Sequence, residues 1–561
     1  MHHPHGVNVG SNRPVVMGRK GMVCSGHPLA SQAGIRVLQQ GGNAVDAAVA
    51  VGAALNVVEP HMSGIGGDGF IMVYQKSTGT TRVMNCTGAA PGGATQERYE
   101  KTGIPMRGVL STSIPGLLDG WAQAHQDYGT LPWAGLFDDA ISLADEGFPV
   151  THTLAGYIAA EPGLIQNPTS AKVYSRNGVP LAGGDILLQR DLAASFRQIA
   201  SEGPDALFHG AIGREVARFV QDQGGVLSAK DLEGHRSRWE DPISTTYKGY
   251  TILEAPPNSS GHILLQELNL VENLDLPALG CNTSEEIHVM VEAKKLAFID
   301  REEYVADPDF VDIPMKGLLS KEYAMERSKL IDPSRATPKV QPGDPWLYQG
   351  GAPTRAKAGA VRDAEDTTCF CVVDQWGNAV CQLQSIQSAF GSTVIAGSTG
   401  ILLNNRMTYW HLDPGHPNCL QPGKRVRHTM NPIMVFASGG ADLFMVCGTP
   451  GADTQVQTNL QVLTHVLDFG MTVAEAVEAP RWRHQQDPTE STIPHTCEDT
   501  LELEGRLSED VRGGLSGKGH DLSILSDWGG PGSEMMIFVD QQTGAFHGAA
   551  DPRRDGYAIG W

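Results

Sequence analysis

Asp366-Thr367-Thr368-Cys369-Phe370-Cys371-Val372-Val373-Asp374, followed by Gln375-Trp376-Gly377-Asn378, is the stretch on which the reading of this chain turns. Thr368 to Val373 is β-branched, aromatic and alternating, which predicts a strand, and Ala379 to Ser385 predicts its partner. With Asp374 to Asn378 as the hairpin loop, Val373 pairs with Ala379 and Thr367 falls opposite Ser385. Opposed residues in such a ladder hold their Cβ atoms about 4.5–5.5 Å apart. Two hydroxyls are therefore expected to face one another at the open end of the hairpin. A threonine inside a chain is a poor nucleophile. A cut at Asp366-Thr367 would give Thr367 a free α-amine, with an ordinary pKa of about 7.7–8.0, as its own base.

Composition narrows the function classes. The chain has 561 residues, with 41% hydrophobic and 19% charged, which is globular rather than disordered. Its 66 Gly and 34 Pro follow no period and mark turns. A net charge of −21 argues against nucleic-acid binding, which needs clustered Lys and Arg, so no nucleic-acid partner is expected. No apolar run approaches the roughly 18 residues of a membrane span, and Met1-His2-His3-Pro4-His5-Gly6 lacks the pattern of a secretion signal. A soluble, cytoplasmic protein is expected. The nine cysteines include no CxxC pair, so no zinc site or disulfide framework is expected, and Cys369 and Cys371 read as small core residues on one strand face.

Upstream of Thr367 the pattern is mostly helical. Pro28 to Gln40 is a helix stopped by Gly41-Gly42, and Asn43 caps a second from Ala44, whose small residues imply close packing on a sheet. Ser63-Gly64-Ile65-Gly66-Gly67-Asp68-Gly69 lacks the lysine of a phosphate loop and precedes a strand, Phe70 to Tyr74, so it reads as a tight backbone pass. A Pro-initiated helix start is expected at Ser113 to Trp121. Further helices are expected at Leu136 to Ala144, Ile186 to Ala200 and Ile212 to Gln223, with a long amphipathic one at Ile287 to Tyr304. Pro256 to Gly261 is a loop, and residues 331–366 form a polar, Pro- and Gly-rich, flexible segment beside the cut. Downstream, strands are expected at Gly400 to Leu403, Ile433 to Ala437, Leu443 to Val446 and Met535 to Val539. Helices are expected at Gln455 to Phe469 and Val473 to Ala479. Gly448-Thr449-Pro450-Gly451-Ala452-Asp453 is a turn whose small residues let backbone N–H groups approach an oxyanion.

Several motifs in order make the chain similar to the γ-glutamyltransferase family of N-terminal-nucleophile hydrolases. They are Gly41-Gly42-Asn43-Ala44-Val45-Asp46-Ala47-Ala48, Ser63 to Gly67, Pro256 to Gly261, Asp366-Thr367-Thr368, Gly400-Ile401-Leu402-Leu403-Asn404-Asn405 and Asp551-Pro552-Arg553. The resemblance implies a four-layer αββα fold and a precursor that cuts itself into residues 1–366 and 367–561, which stay together. It implies Thr367 as nucleophile, Ser385 as the hydroxyl supporting it, Gly451 and Ala452 as oxyanion donors, and no metal or organic cofactor.

The residues that grip the substrate in the family carry over poorly. The arginine of its Arg-Glu-x-Ala-Pro motif falls on Thr87, and an Asn two places after the supporting hydroxyl is Gln387. A Gln and an Asp become Arg406 and Tyr409, and a Ser-Ser pair becomes His428-Thr429. The lost Asp removes a partner for a substrate ammonium, while Arg406 adds a donor fork for a carboxylate. The expected substrate is thus a small amide whose acyl group bears a carboxylate, glutaryl or γ-glutamyl for example. The alternatives are genuine γ-glutamyl transfer or glutathione hydrolysis, with Arg406 paired to a neighbouring carboxylate, and a non-catalytic binding relative.

Overall fold

The computed structural model describes residues 10–350, 367–437, 440, 442–487 and 491–561. Asp366, and with it the predicted cut, lies outside the described residues, as do residues 351–366 of the predicted flexible segment. Residues 331–350 run over the helices before them. Gly343 N–H donates to Asp300, Gly343 C=O accepts from the Tyr304 hydroxyl, and Gly317 N–H donates to Gln349.

Two seven-stranded sheets form the centre. In the first, Tyr557–Gly560, Gly21–Ser25, Thr368–Asp374, Ala379–Ser385, Asp68–Gln75, Thr80–Asn85 and Arg238–Glu240 lie side by side. In the second the order is Val16–Gly18, Phe546–Ala550, Met535–Val539, Leu443–Gly448, Ile433–Phe436, Tyr250–Glu254 and Ile243–Tyr247. The inner faces meet in a buried core that includes Met72, Cys369, Cys371, Cys381, Met434, Val446 and Ile537. The alternation read from the sequence thus sends Cys369 and Cys371 inward, while Phe370 and Val372 pack against helices outside. Helices Pro28–Gln39 and Ala44–Val58 cover the first sheet, and Gly261–Val271, Ser284–Tyr304 and Thr454–Leu467 cover the second. The result is the expected four-layer αββα stack.

The Ala44–Val58 helix is buried along its whole length, as a helix apolar all round must be. Asn43 and Asp46 cap its start reciprocally. At Gly52 a Cβ would sit 2.6 Å from the Trp121 ring and 2.9 Å from Gln384, so only glycine lets the helix lie this close to the hairpin.

Four expectations change. Gly400 to Leu403 is not a strand but makes isolated bridges, Leu403 to Gly66 and Leu402 to Ile395, because it threads between loops rather than along a sheet. The helix expected from Pro115 begins at Leu117, because Gly116 and Leu117 first donate their N–H groups to Gly67. Ile186-Leu187 is a short strand, and the helix starts at Arg190. The charged helix Ser284–Tyr304 is not amphipathic in use, since Glu286, His288, Glu292, Lys294, Lys295, Arg301 and Glu302 are all buried. Partners elsewhere in the chain, not solvent, satisfy several of these charges. No helix among the described residues is long and apolar enough to cross a membrane.

Candidate active site

The hairpin forms in the predicted register, with Val373 opposite Ala379 and Thr368 opposite Gln384. Beyond the last rung Thr367 Oγ1 lies 3.4 Å from Ser385 Oγ, which also accepts the Gln387 N–H at 2.8 Å. Both hydroxyls are buried. The hairpin is central in its sheet, flanked by Gly21–Ser25, whose pairing stops at Phe370, and by Asp68–Gln75, which pairs with the second hairpin strand as far as Ser385. Thr368 turns its hydroxyl the other way and donates to Glu59 at 2.7 Å.

The Gly451-Ala452 turn follows a strand, Leu443–Gly448, that ends packed on the hairpin. A Cβ on Gly448 would sit 2.8 Å from Cys369 Sγ, two residues from Thr367, and Gly451 follows three residues later. Gly451 and Ala452 both have positive φ, 124° and 49°. Their carbonyls face into the following helix, accepting from Thr454 and Gln455. The αL conformation costs an alanine about 1–2 kcal/mol, so the surrounding structure imposes it.

Of the remaining predicted residues, Arg406, Tyr409, His428, Thr429 and Thr87 form one connected group around a side chain with no role in the sequence reading, whereas Gln387 stays with the hairpin, its N–H on Ser385 and its side-chain oxygen accepting from Ser388. Asp68, wholly buried, is 3.2 Å from Arg406 Nη2 and 3.0 Å from His428 Nε2. Burial alone would raise its carboxyl, but the Arg406 charge and the His428 hydrogen bond outweigh that and hold it below the usual range. Burial, reinforced by Arg406, pulls the His428 imidazole down to about 4. His428 is therefore neutral, with the proton on Nε2 toward Asp68. Its Nδ1, the Arg406 Nε and the Gln387 Nε2 are buried without hydrogen-bond partners among the described residues. The first can accept a hydrogen bond, and the other two can donate one. Arg406 stacks over Tyr409, 4.8 Å from the ring centre, and the Tyr409 hydroxyl meets Thr429 Oγ1 at 3.3 Å. Thr87 joins through Asn258, whose amide donates to Thr87 Oγ1 at 3.1 Å and whose carbonyl accepts the His428 N–H at 2.7 Å.

Arg406 is thus not a free fork. The pairing of Arg406 with a neighbouring carboxylate, expected under the alternative reading, is the one formed, and Asp68 is that carboxylate. The signal was present but weak: a lone acid between glycines at the start of a strand, whose register only the fold reveals. Asn258 lies in Pro256 to Gly261, read as a loop and as a motif of the family resemblance, with no role given to this residue.

The sequence profile of the family described as Gamma-glutamyltranspeptidase matches residues 30–561. A glutathione hydrolase proenzyme of Bacillus subtilis (strain 168) is 37% identical over 558 residues, covering 98% of this chain and 92% of that one. An acylase ACY 1 proenzyme of Pseudomonas sp. (strain SE83) is 37% identical over 557 residues, covering 97% and 94%. The crystal structure of a cephalosporin acylase from Bacillus halodurans superposes with a TM-score of 0.87 at 33% identity, covering 100% of this chain and 99% of that one.

Proposed function

The chain belongs to the γ-glutamyltranspeptidase family, and on that premise we propose that it is a self-cleaving amide hydrolase and acyltransferase with Thr367 as its nucleophile. The observation that carries the reading is the 3.4 Å approach of Thr367 Oγ1 to Ser385 Oγ at the open end of the central hairpin. In processing, Thr367 Oγ attacks the Asp366 carbonyl, the peptide becomes an ester, and water hydrolyses it to a carboxylate and a free Thr367 amine. In turnover that amine takes the hydroxyl proton as Oγ attacks a substrate amide. The leaving amine receives the proton, and the acyl-enzyme passes its acyl group to water or to another amine. Backbone N–H groups of the Gly451-Ala452 turn are suited to the oxyanion, and Ser385 steers the nucleophile.

The acyl group is proposed to bear a carboxylate, met by the unpartnered Arg406 Nε and Gln387 Nε2. A second reading, γ-glutamyl transfer or glutathione hydrolysis, is favoured by Asp68 and the free His428 Nδ1, which together offer acceptors to a substrate ammonium. Denaturing electrophoresis tests the processing. A 60.0 kDa chain cut before Thr367 gives bands of about 39 and 21 kDa in proportion to length, and Thr367→Ala leaves one band. Wild-type protein that stays whole and releases no amine from γ-glutamyl, glutaryl, succinyl or oxamyl amides would sink the proposal.

A further inference from the structure

Two imidazoles meet where the long buried helix touches the last third of the chain. His288, in the second turn of Ser284–Tyr304, donates Nε2–H to the Asp332 carbonyl at 2.8 Å. That bond fixes the tautomer and leaves Nδ1 as a lone pair. Nδ1 faces His520 Nε2 at 2.8 Å. Glu292, four residues further along the same helix face, brings a carboxylate to the pair, and the three donor atoms lie within 4.8 Å of one another. Lys295 Nζ at 2.9 Å and the Thr337 N–H at 3.1 Å hold that carboxylate in place. The His520 loop is fastened to the same stretch, since Ala336 N–H donates to the Lys518 carbonyl and Lys518 Nζ to the Pro333 carbonyl.

We propose that His288 Nδ1, His520 Nε2 and Glu292 bind one divalent transition-metal ion, zinc being the ion best matched to the donors, with water in the fourth position. Two imidazoles and a carboxylate are a recurrent set for zinc, and the backbone carbonyl on the far nitrogen of His288 is the usual support for such a ligand. The ion would replace a single shared proton and pull the helix and the His520 loop together. The site is independent of the cut at Thr367, although its ligands come from both sides of it.

Other clusters lack these features. At Glu302, His411 and His416, the His416 Nδ1 already accepts the Asn418 N–H, so Nε2 carries the proton toward Glu302, and Arg301 and Arg427 both press on that carboxylate. Cys369, Cys371 and Cys381 are sealed between the sheets.

The test uses the full chain with His2, His3 and His5 changed to Ala, so that the terminus cannot chelate. After stripping with EDTA, zinc chloride is titrated against a chromophoric chelator. One zinc per chain is expected. His520→Ala and Glu292→Gln should each weaken it by about a hundredfold, the scale of loss when a ligand or its support is removed, and His411→Ala should leave it unchanged. No zinc taken up by the parent, or equal affinity in all four proteins, overturns the proposal. Should the site variants fail to fold, cobalt(II) decides on the parent alone: visible bands of a four-coordinate site support the clasp, and the octahedral spectrum of the aqueous ion overturns it.

Discussion

Asp68 stands directly across the ladder from Ser385, so the carboxylate that holds Arg406 and His428 shares a rung with the hydroxyl beside Thr367. Substrate grip and nucleophile are therefore registered by one pair of backbone strands. Asp68→Asn should leave the buried Arg406 charge unpaired and lower stability by about 3–5 kcal/mol in urea unfolding. The double change Asp68→Leu with Arg406→Met should recover most of that loss. A double variant as unstable as Asp68→Asn would show that the pair is not the cause.

Arg406→Ala tests whether Arg406 reads a carboxylate on the acyl group. kcat/KM is expected to fall far more for glutaryl or γ-glutamyl amides than for a neutral acyl amide of similar size. Equal losses would mean that Arg406 only balances Asp68 and reads no substrate carboxylate.

Ser385→Ala is expected to lower kcat by about a hundredfold, within the usual range for a lost proton-handling partner, and to slow processing as well. Ser385→Thr keeps the hydroxyl that accepts the Gln387 N–H and should restore most of the rate.

Ala452 has a φ of 49°, where a side chain is strained. Ala452→Gly should raise the unfolding free energy by up to about 1 kcal/mol without loss of kcat. Ala452→Val, β-branched at the same φ, should destabilise and abolish turnover together. A stable, active Ala452→Val would remove this turn from the oxyanion site.

Glu267 gives the pH dependence a sign. It is wholly buried, neither carboxylate oxygen has a hydrogen-bond partner among the described residues, and burial, offset in part by Lys294 and Arg301, pushes its carboxyl up to about 8. Between the ordinary value of 4.5 and about 8, the folded protein keeps a proton that the unfolded chain has released, so stability falls as pH rises through that window. Glu267→Gln should flatten the slope by one proton, measured as the change in unfolding free energy between pH 5 and pH 8. An unchanged slope would mean that Glu267 is ionised in the fold.

The hairpin was legible because its information is local: a period-two run, a turn and a second run fix one register, and Thr367 opposite Ser385 follows. Capping at Asn43 was legible for the same reason. The grip around the substrate was not, because Asp68, Arg406, His428 and Asn258 are far apart in sequence and only the sheet order brings them together. The Ser284–Tyr304 helix misled through composition. Its charges imply a solvated face until the partners that bury them are known, and several of those lie more than a hundred residues away.

The interleaving of the sheets reaches beyond architecture. Strands from before and after Thr367 occur in both sheets, and Gly21–Ser25 lies between Tyr557–Gly560 and Thr368–Asp374. A nicked molecule would have no interface along which its fragments could part, because separating them means dismantling both sheets. Its persistence is therefore a first-order matter, set by an unfolding rate and not by a dissociation constant. Specific activity should be the same at nanomolar as at micromolar protein, and fragments of two differently tagged preparations should not exchange on mixing.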